Sequence, residues 1–382
     1  MKKKRFFVNS IMILLGMAML VKSFSGQVAS AAGKVVLSSK KITVKTGNSK
    51  ILRLKNNKAK VTWSIKTGKK YITLAKKTKK SVKITAVKKG TAKVQAKVGD
   101  RKYTCKVVVL DKNKMKRNAA DIAAVKKIID EQKSLGAYHG IDNLDDGDRY
   151  FWDADGRLTK INWTNCDLKG TLSVAGLPAL TELYCSGSQI QKLDVSKNNA
   201  LTVLACGDNE LTALDVSRNI ALRELYCYGN KLTGIDIHNN KELVTFSCHH
   251  NLITDIDVSN QIKLLVLDCN TNHLRKLDTS RNILLRVLHC HKNQITDLDV
   301  RNNQGLTELA CNDNQLMKLD LENNLELEAL YCGGNQLRSL DISANVKLET
   351  LSCRSNYIIE LDISKNDILM TLECDYDVEV KG

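Results

Sequence analysis

The sequence contains one proline, Pro178, and five phenylalanines among 382 residues, and aromatic side chains make up only 5% of it. This scarcity does not suit a domain built around one aromatic-rich core. It favours a stacked coil whose core is assembled from many small copies of one unit. The chain is long enough for two or three domains, so such a coil need not account for all of it.

Motifs of catalysis and metal binding are also missing. No two of the twelve cysteines form a C-x₂-C pair, the spacing that a zinc site commonly uses. No nucleophile motif occurs, and the glycines of calcium-binding β-roll repeats are absent. We therefore expect no catalytic residues, no metal and no other cofactor, and we expect the protein not to be an enzyme.

Acidic residues are nearly absent from one part of the chain. Residues 32–110 hold 24 Lys/Arg and a single acid, Asp100, for a balance of +23. From residue 111 to the end, 30 Lys/Arg face 40 Asp/Glu, for a balance of −10. The net charge of +18 therefore hides a basic module joined to an acidic one.

The first 31 residues have the pattern of a secretory signal peptide. A positive start (Lys2-Lys3-Lys4-Arg5) precedes an apolar run at 11–21 and a small-residue cleavage site at Ala29-Ser30-Ala31. The alternative is a membrane anchor, but the apolar run is too short to cross a bilayer comfortably. We predict a secreted or cell-surface protein that has no membrane span after signal cleavage.

Residues 32–110 change to a period of two. Short runs of alternating apolar and polar residues are separated by turn formers such as Gly47-Asn48, Gly68 and Gly99-Asp100. Six or seven short strands with a turn every 8–12 residues predict an all-β sandwich. Cys105 shares a strand face with Tyr103 and Val107 and is predicted to be a core residue.

This module resembles the group 2 bacterial Ig-like (BIG2-type) domains. The resemblance rests on Lys41-Ile-Thr-Val-Lys45 followed by Gly47, on Val61-Thr-Trp63-Ser, and on the strand pair at 88–98 and 103–109. It implies an extracytoplasmic spacer or adhesion module. Its excess of lysine also suggests electrostatic retention on an anionic cell envelope, whereas a nucleic acid partner is not expected.

Residues 111–157 are predicted to be a linker, a helix and a hairpin. A helical apolar stripe (Ile122, Val125, Ile128 and Ile129) ends at Gly136, and a hairpin turns at Asp155-Gly156. The first coil of a solenoid exposes its apolar end and needs a cap. We therefore expect this helix and hairpin to be the N-terminal cap of a solenoid formed by the C-terminal part of the chain.

The predicted solenoid spans residues 158–382, and from Leu180 to Cys374 its sequence repeats every 21 residues. The clearest copy begins at Leu201 and reads L-x-x-L-x-C-x-x-N-x-L-x-x-L-D-V-S-x-N-x-x. A period of 20–29 residues predicts a leucine-rich-repeat solenoid, a parallel β coil of about ten to eleven copies. These repeats resemble those of bacterial internalin-like surface proteins, which implies a binding role at the cell surface.

Two ladders are predicted inside the coil. The thiols are expected to be free, buried and packed as small apolar groups, since parallel strands give poor geometry for disulfides. The asparagines are expected to satisfy backbone groups where each strand ends. These positions are Cys185, Cys206, Cys227, Cys248, Cys269, Cys290, Cys311, Cys332, Cys353 and Cys374, and Asn209, Asn230, Asn251, Asn272, Asn293, Asn314, Asn335 and Asn356.

A third ladder consists of the aspartate in each Leu-Asp pair, nine residues from Asp194 to Asp362. Aspartates at a turn commonly accept hydrogen bonds from the backbone two residues ahead, and this is the predicted role. A calcium stack is the alternative.

The outward strand positions differ from copy to copy and are the ones free to recognise a partner. Tyrosine and histidine gather there, as on many recognition surfaces. We predict that the concave face binds a protein or glycan on another cell or in the envelope. The predicted contacts are Tyr184, Tyr226, Tyr228, His249, Asp268, His289, His291 and Tyr331. The alternative is a structural envelope or matrix component, held by the basic domain and without a specific ligand.

Overall fold

The computed structural model describes residues 34–110 and 117–382, so the predicted signal peptide lies outside the described residues. Two compact units are present. The first comprises the described residues up to Asn118 together with Trp152–Arg157, and the second comprises Ala119–Phe151 and Leu158–Gly382. In these described ranges, no helix has both the length and the apolar character to cross a membrane.

The first unit consists of eight strands in two four-stranded sheets, ordered β1-β3-β6-β5 and β2-β8-β7-β4. Neighbouring strands are antiparallel except for β2 and β8, which are parallel. The strands are β1 Val36–Leu37, β2 Lys41–Lys45, β3 Ser49–Lys55, β4 Thr62–Thr67, β5 Ile72–Ala75, β6 Ser81–Ala86, β7 Gly90–Val98 and β8 Arg101–Leu110.

The alternating pattern of the sequence places one face of each sheet in a shared apolar core. In β8, Cys105, Val107 and Val109 are buried, while the residues between them are exposed or half-buried. Trp63 is also buried, and its indole Nε1 donates a hydrogen bond to the Thr78 carbonyl at 2.8 Å. This bond satisfies the polar atom of a large core side chain.

The second unit is a β solenoid. Eleven parallel strands pair in sequence order, each with the equivalent strand of the next coil, and β9 joins at the start. The strands of this sheet are β9 Tyr150–Trp152, β10 Leu158–Asn162, β12 Glu182–Tyr184, β14 Val203–Ala205, β15 Glu224–Tyr226, β16 Thr245–Ser247, β17 Val266–Asp268, β18 Val287–His289, β19 Glu308–Ala310, β20 Ala329–Tyr331, β21 Thr350–Ser352 and β23 Thr371–Glu373.

Two small parallel sheets complete the solenoid, β11 (Lys169–Ser173) with β13 (Gln189–Asp194), and β22 (Glu360–Asp362) with β24 (Glu379–Lys381). The regular strands are shorter than the repeat suggests. Only three residues are extended in each regular coil, centred on one inward residue, which is a leucine such as Leu204 or, in β16, Phe246. The cysteine lies just beyond the strand and is still buried, as Cys206 shows. The predicted leucine-rich-repeat solenoid is therefore confirmed.

Among the described residues, one α-helix, α1 (Ala119–Ser134), and a 3₁₀ helix (His139–Asp142) precede the regular coils. The apolar stripe of α1 is buried at Val125, Ile128 and Ile129. The Gln132 amide also bonds to the backbone of β11: its Nε2 donates to the Lys169 and Thr171 carbonyls, both at 3.1 Å. Its Oε1 accepts from the Lys169 amide at 2.8 Å. A helix side chain thus occupies hydrogen-bonding positions of the first coil.

Candidate recognition face of the solenoid

The outward positions of the solenoid sheet form the candidate site. In each coil they are the two strand residues beside the inward leucine and the residue after the cysteine, for example Glu224, Tyr226 and Tyr228. Side chains of successive strand residues alternate between the two faces of a sheet. We call these outward positions the recognition face.

The predicted contact residues all occupy the recognition face, but they differ in exposure. Tyr226, Tyr228, His249 and Asp268 are only 6%, 4%, 8% and 0% exposed. The expectation of side chains projecting into solvent is corrected for these four residues. The other four are half-buried: Tyr184, His289, His291 and Tyr331. Their binding role stays a prediction.

Lateral packing between coils explains the burial. Adjacent coils lie about 4.8 Å apart, so a large outward side chain necessarily contacts the equivalent residue of its neighbour. The Tyr228 ring is stacked on the His249 ring, with centroids 4.6 Å apart and planes 1° apart. On its other side lies Gly207, where a Cβ atom would be 2.6 Å from the Tyr228 ring. Gly207 therefore provides the space in which the ring lies.

A buried carboxylate organises the centre of the face. Asp268 Oδ2 lies 3.0 Å from His249 Nδ1, and the Asn270 amide donates to Asp268 Oδ1. Burial raises the pKa of the Asp268 carboxyl, but the combined effect of His249, His289 and its hydrogen bonds is larger and lowers that pKa to about 2. Asp268 is thus an ionised carboxylate whose partners fix it in place.

The Asp268–His249 pair does not have the geometry of a nucleophilic triad. Ser247 Oγ lies 2.8 Å from His249 Nδ1, the same nitrogen that faces Asp268. In a Ser-His-Asp triad the serine and the carboxylate bond to different ring nitrogens. Ser247 is also only 1% exposed. These contacts hold the His249 imidazole in one orientation.

A second acid–histidine pair lies in the next coils. His289 Nε2 and Glu308 Oε1 are 2.9 Å apart. Burial lowers the pKa of His289, but the Glu308 hydrogen bond and the Asp268 charge raise it above its usual value. His291 differs: burial lowers its pKa to about 4. Within the described residues its buried Nδ1 has no hydrogen-bond partner. The pKa values of these two neighbouring imidazoles are therefore shifted in opposite directions.

Sequence reasoning missed the glutamates that bond to the tyrosines of this face. Tyr184 and Tyr226 each place the phenol oxygen near the glutamate two residues earlier, at 3.0 Å from Glu182 and 3.1 Å from Glu224. The signal was present as the repeated Glu-Leu-Tyr, since residues two apart share a strand face. The recognition face is therefore a hydrogen-bonded layer of tyrosine, histidine and carboxylate.

The asparagine ladder supports this layer from beneath. Asn209 Nδ2 lies 3.0 Å from the Cys206 carbonyl of its own coil and 3.0 Å from the Cys185 carbonyl of the preceding coil. Its Oδ1 accepts from the Ile190 amide at 3.0 Å. One side chain thus satisfies backbone groups of two coils. The same pattern recurs at Asn230, Asn251, Asn272, Asn293, Asn314, Asn335 and Asn356.

All ten ladder cysteines are free thiols, and all except the half-buried Cys374 are buried. Burial raises the pKa of both Cys206 and Cys311 to about 12. They are therefore protonated at neutral pH and pack as small apolar side chains.

Sequence reasoning gave no role to a second row of buried amides, which is formed by the last asparagine of each repeat and, in one coil, by Gln261. Asn219 Nδ2 donates to the Val195 and Asn198 carbonyls at 3.0 and 2.9 Å. Its Oδ1 is buried and has no partner among the described residues. Asn303 differs, because Thr279 Oγ1 donates to its Oδ1 at 2.8 Å. Repetition at a fixed 21-residue spacing was the available signal.

The aspartate ladder lies at the surface. Asp215 Oδ1, for example, accepts a hydrogen bond from the Ser217 amide at 2.9 Å, and Asp362 accepts one from the Ser364 amide at 2.8 Å. These bonds cap turns. Among the described residues, no group of three or more His, Cys, Asp or Glu side chains is arranged to hold a metal ion.

Known structures support the leucine-rich-repeat fold. The functional domain of InlJ from Listeria monocytogenes, described as including a cysteine ladder, is 34% identical, with a TM-score of 0.53. The match covers 58% of this chain and 54% of that chain. The PEPR1–AtPEP1 structure is 19% identical with a TM-score of 0.52, over 68% of this chain and 45% of that chain, and shows the fold alone.

The chain thus spans about half the length of these solved chains. No protein-family model matches the sequence, and comparison with curated proteins gives no match. The solenoid resembles an internalin-like repeat domain that has its own cysteine ladder. The group 2 Ig-like resemblance of residues 32–110 stays a prediction.

Proposed function

We propose that this protein is a secreted or cell-surface binding protein that recognises a protein or glycan through the recognition face. One observation carries the proposal. The inward positions of the solenoid repeat leucine, cysteine and asparagine with few exceptions, whereas its outward positions vary and include hydrogen-bonded tyrosine, histidine and carboxylate side chains. A layer fixed by its own hydrogen bonds loses little side-chain freedom when a partner binds.

The half-buried members of the layer offer the accessible contacts. Tyr184, His289, His291 and Tyr331 retain exposed surface, and they lie on coils before and after those that carry the buried Tyr226, Tyr228, His249 and Asp268. Aromatic side chains with polar tips contribute strongly to binding when they are rigidly held. Of the four buried residues, Asp268 acts on an accessible neighbour, because its negative charge raises the pKa of His289.

The remaining parts of the chain fit this role. A signal peptide at 1–31 would export the protein, and an Ig-like domain at 32–110 would act as spacer. The helix and hairpin within 111–157 would cap the solenoid at 158–382, a role that the bonds of Gln132 to β11 support. The positive charge of the Ig-like domain would hold the protein on an anionic envelope.

Attachment through that charge also supports a second candidate function, a structural envelope component without a specific ligand. The two candidates differ in one respect. A recognition protein binds a partner saturably through the solenoid, whereas an envelope component needs only its basic domain.

A binding experiment with matched variants separates them. Labelled protein is applied to a glycan array and to an array of purified secreted and cell-surface proteins. In the test variant, Tyr184, His291 and Tyr331 are replaced by alanine. The control replaces Tyr357, His238 and Tyr376, the same residue types at exposed positions outside the recognition face.

We expect saturable binding that the test variant loses by at least ~10-fold, because a few anchor residues carry most of the energy of an interface. The control variant should bind like the original protein. Equal loss in both variants, or binding that never saturates, would reject the recognition face and favour the structural role.

A further inference from the structure

One face of the first unit carries an unusual row of lysines. In the sheet β2-β8-β7-β4, the core-facing positions are apolar, including Val44, Val94 and Cys105. The alternate positions face away from the core. Six of them are lysines, exposed or half-buried: Lys41, Lys45, Lys93, Lys97, Lys102 and Lys106. We call this surface the lysine face.

The strand register brings five of these lysines together in two ranks, while Lys45 lies opposite Leu110. Lys106 of β8 pairs directly with Lys41 of β2 on one side and with Lys93 of β7 on the other. Four residues away, Lys102 pairs with Lys97. Neighbouring strands are about 4.8 Å apart and four strand residues span about 13 Å. The amines therefore form two parallel ranks that cross the strands.

This arrangement costs folding stability. Like charges directly opposite each other on a sheet repel. Asp100 is the only acid in residues 32–110, and no lysine or arginine of the described residues 34–110 forms an ion pair with an acid. Within residues 34–110, no ion pair therefore offsets the repulsion. An external anion would.

The other sheet of the same unit provides an internal comparison. Its outward positions in β3, β6 and β5 pair Ile51 with Lys83 and Lys83 with Ala75. No lysine there lies opposite another lysine in the described register. The opposed pairs belong to one face, so a high lysine content alone does not explain them.

We propose that the lysine face binds a flexible, linear phosphate polymer that lacks bases. Two ranks of amines match a chain of closely spaced charges, and neutralising them releases counterions from the polymer. Single-stranded nucleic acid is a poorer fit, because its binding sites add aromatic side chains on which bases stack. The outward positions of β2, β4, β7 and β8 carry Lys, Thr, Ser, Gln, Val and Leu and no aromatic residue. The proposal rests on the envelope attachment proposed above. It identifies the surface that makes this attachment and the chemical class of the partner.

The test measures binding of the purified protein to inorganic polyphosphate over a salt series. The test variant combines Lys41→Gln, Lys93→Gln and Lys106→Gln. The control combines Lys58→Gln, Lys69→Gln and Lys88→Gln, which removes the same charge from exposed positions outside the two ranks. A third variant with Lys→Arg at the three test positions keeps the charge.

We expect the test variant to lose roughly 10-fold or more in affinity near 0.1 M salt, and the slope of log K against log salt to fall by about 2. The control should lose less than ~3-fold, and the Lys→Arg variant should bind like the original protein. A circular dichroism melt checks that each variant is folded.

Equal losses in the test and control variants would overturn the proposal, because net charge alone would then explain binding. Absence of binding by the original protein would also overturn it. Tighter binding to an oligonucleotide with the same number of phosphates would point to nucleic acid instead. Each of these results leaves the recognition face of the solenoid untouched, since that surface is tested with its own variants.

Discussion

The two units of this protein use lysine in opposite ways. In the solenoid, lysines pair with acids of the preceding coil, as in Glu210–Lys231, Glu242–Lys263 and Glu326–Lys347. In the first unit, lysines face other lysines across the strands. The 21-residue spacing explains the first arrangement, because it places each acid beside the lysine one coil later. The repeat thus pairs individual lysines with acids one coil earlier, although residues 111–382 keep a net charge of −10, whereas the lysines of the first unit form no such pairs among the described residues.

The units also differ in what they bury. Among the described residues 34–110, Asn57 is the one buried polar side chain, and the rest of the core is apolar. The solenoid instead buries whole rows of amides among its leucines and cysteines. A coil that turns in every repeat leaves backbone groups unpaired, and each row supplies partners for them.

The largest expected effect on stability comes from removing one buried amide of the solenoid, for comparison with the buried amide of the first unit. Asn251 donates to the Cys227, Cys248 and His249 carbonyls and accepts from the Leu232 amide. We expect Asn251→Ala to lower the free energy of unfolding by about 3 kcal/mol, because several buried backbone groups lose their partner.

The matched change in the first unit is Asn57→Ala, which removes two bonds, to the Ala59 and Lys79 carbonyls. It should cost about 1 kcal/mol. Urea denaturation with hydrogen exchange resolved along the chain assigns each loss to its unit. A loss at Asn251 no larger than that at Asn57 would contradict the bridging role of the ladder.

A buried valine-to-threonine substitution should change the free energy of unfolding by an intermediate amount, and with opposite sign in the two units. Val300 is buried at the position equivalent to Thr279, one coil later, and the Asn324 Oδ1 above it has no described partner. We expect Val300→Thr to raise the free energy of unfolding by about 1 kcal/mol, because the new hydroxyl can donate to that oxygen. Val107→Thr in the first unit should lower the free energy of unfolding by about 2 kcal/mol, since no buried oxygen without a hydrogen-bond partner is found among the described residues 34–110.

The reverse substitution, Thr279→Val, provides the control for this pair, with an expected loss of about 1 kcal/mol. Calorimetric melting of the three variants measures the differences. If Val300→Thr destabilised the solenoid as much as Val107→Thr destabilises the first unit, the second amide row would have no unsatisfied acceptor to offer.

The smallest expected effects concern the lysines themselves. Lys263→Gln removes the pair with Glu242 and should lower the free energy of unfolding by about 0.3 kcal/mol, because both side chains are exposed. Lys106→Gln relieves repulsion from Lys41 and Lys93 and should raise it by a similar few tenths of a kcal/mol. Denaturant unfolding at low and high salt measures both, and both differences should shrink as salt screens the charges. Effects of the same sign would remove the contrast between the units.

Much of the solenoid could be predicted because its information is local and repeated. Leu204 and Cys206 recur in register, so their burial follows from the period alone. The exposure of the outward residues could not be predicted in this way. Tyr228 is buried because Gly207 and His249 lie on its two sides, and this depends on which side chains meet in adjacent coils.

By itself, the sequence determined the 21-residue coil, the inward thiols, the bridging asparagines and the division of charge between two modules. Each of these depends on spacing or composition, which a chain carries before it folds. The tertiary structure decided which outward side chains remain accessible and which lysines stand opposite one another. These properties depend on the register between strands, and register exists only after the strands have paired.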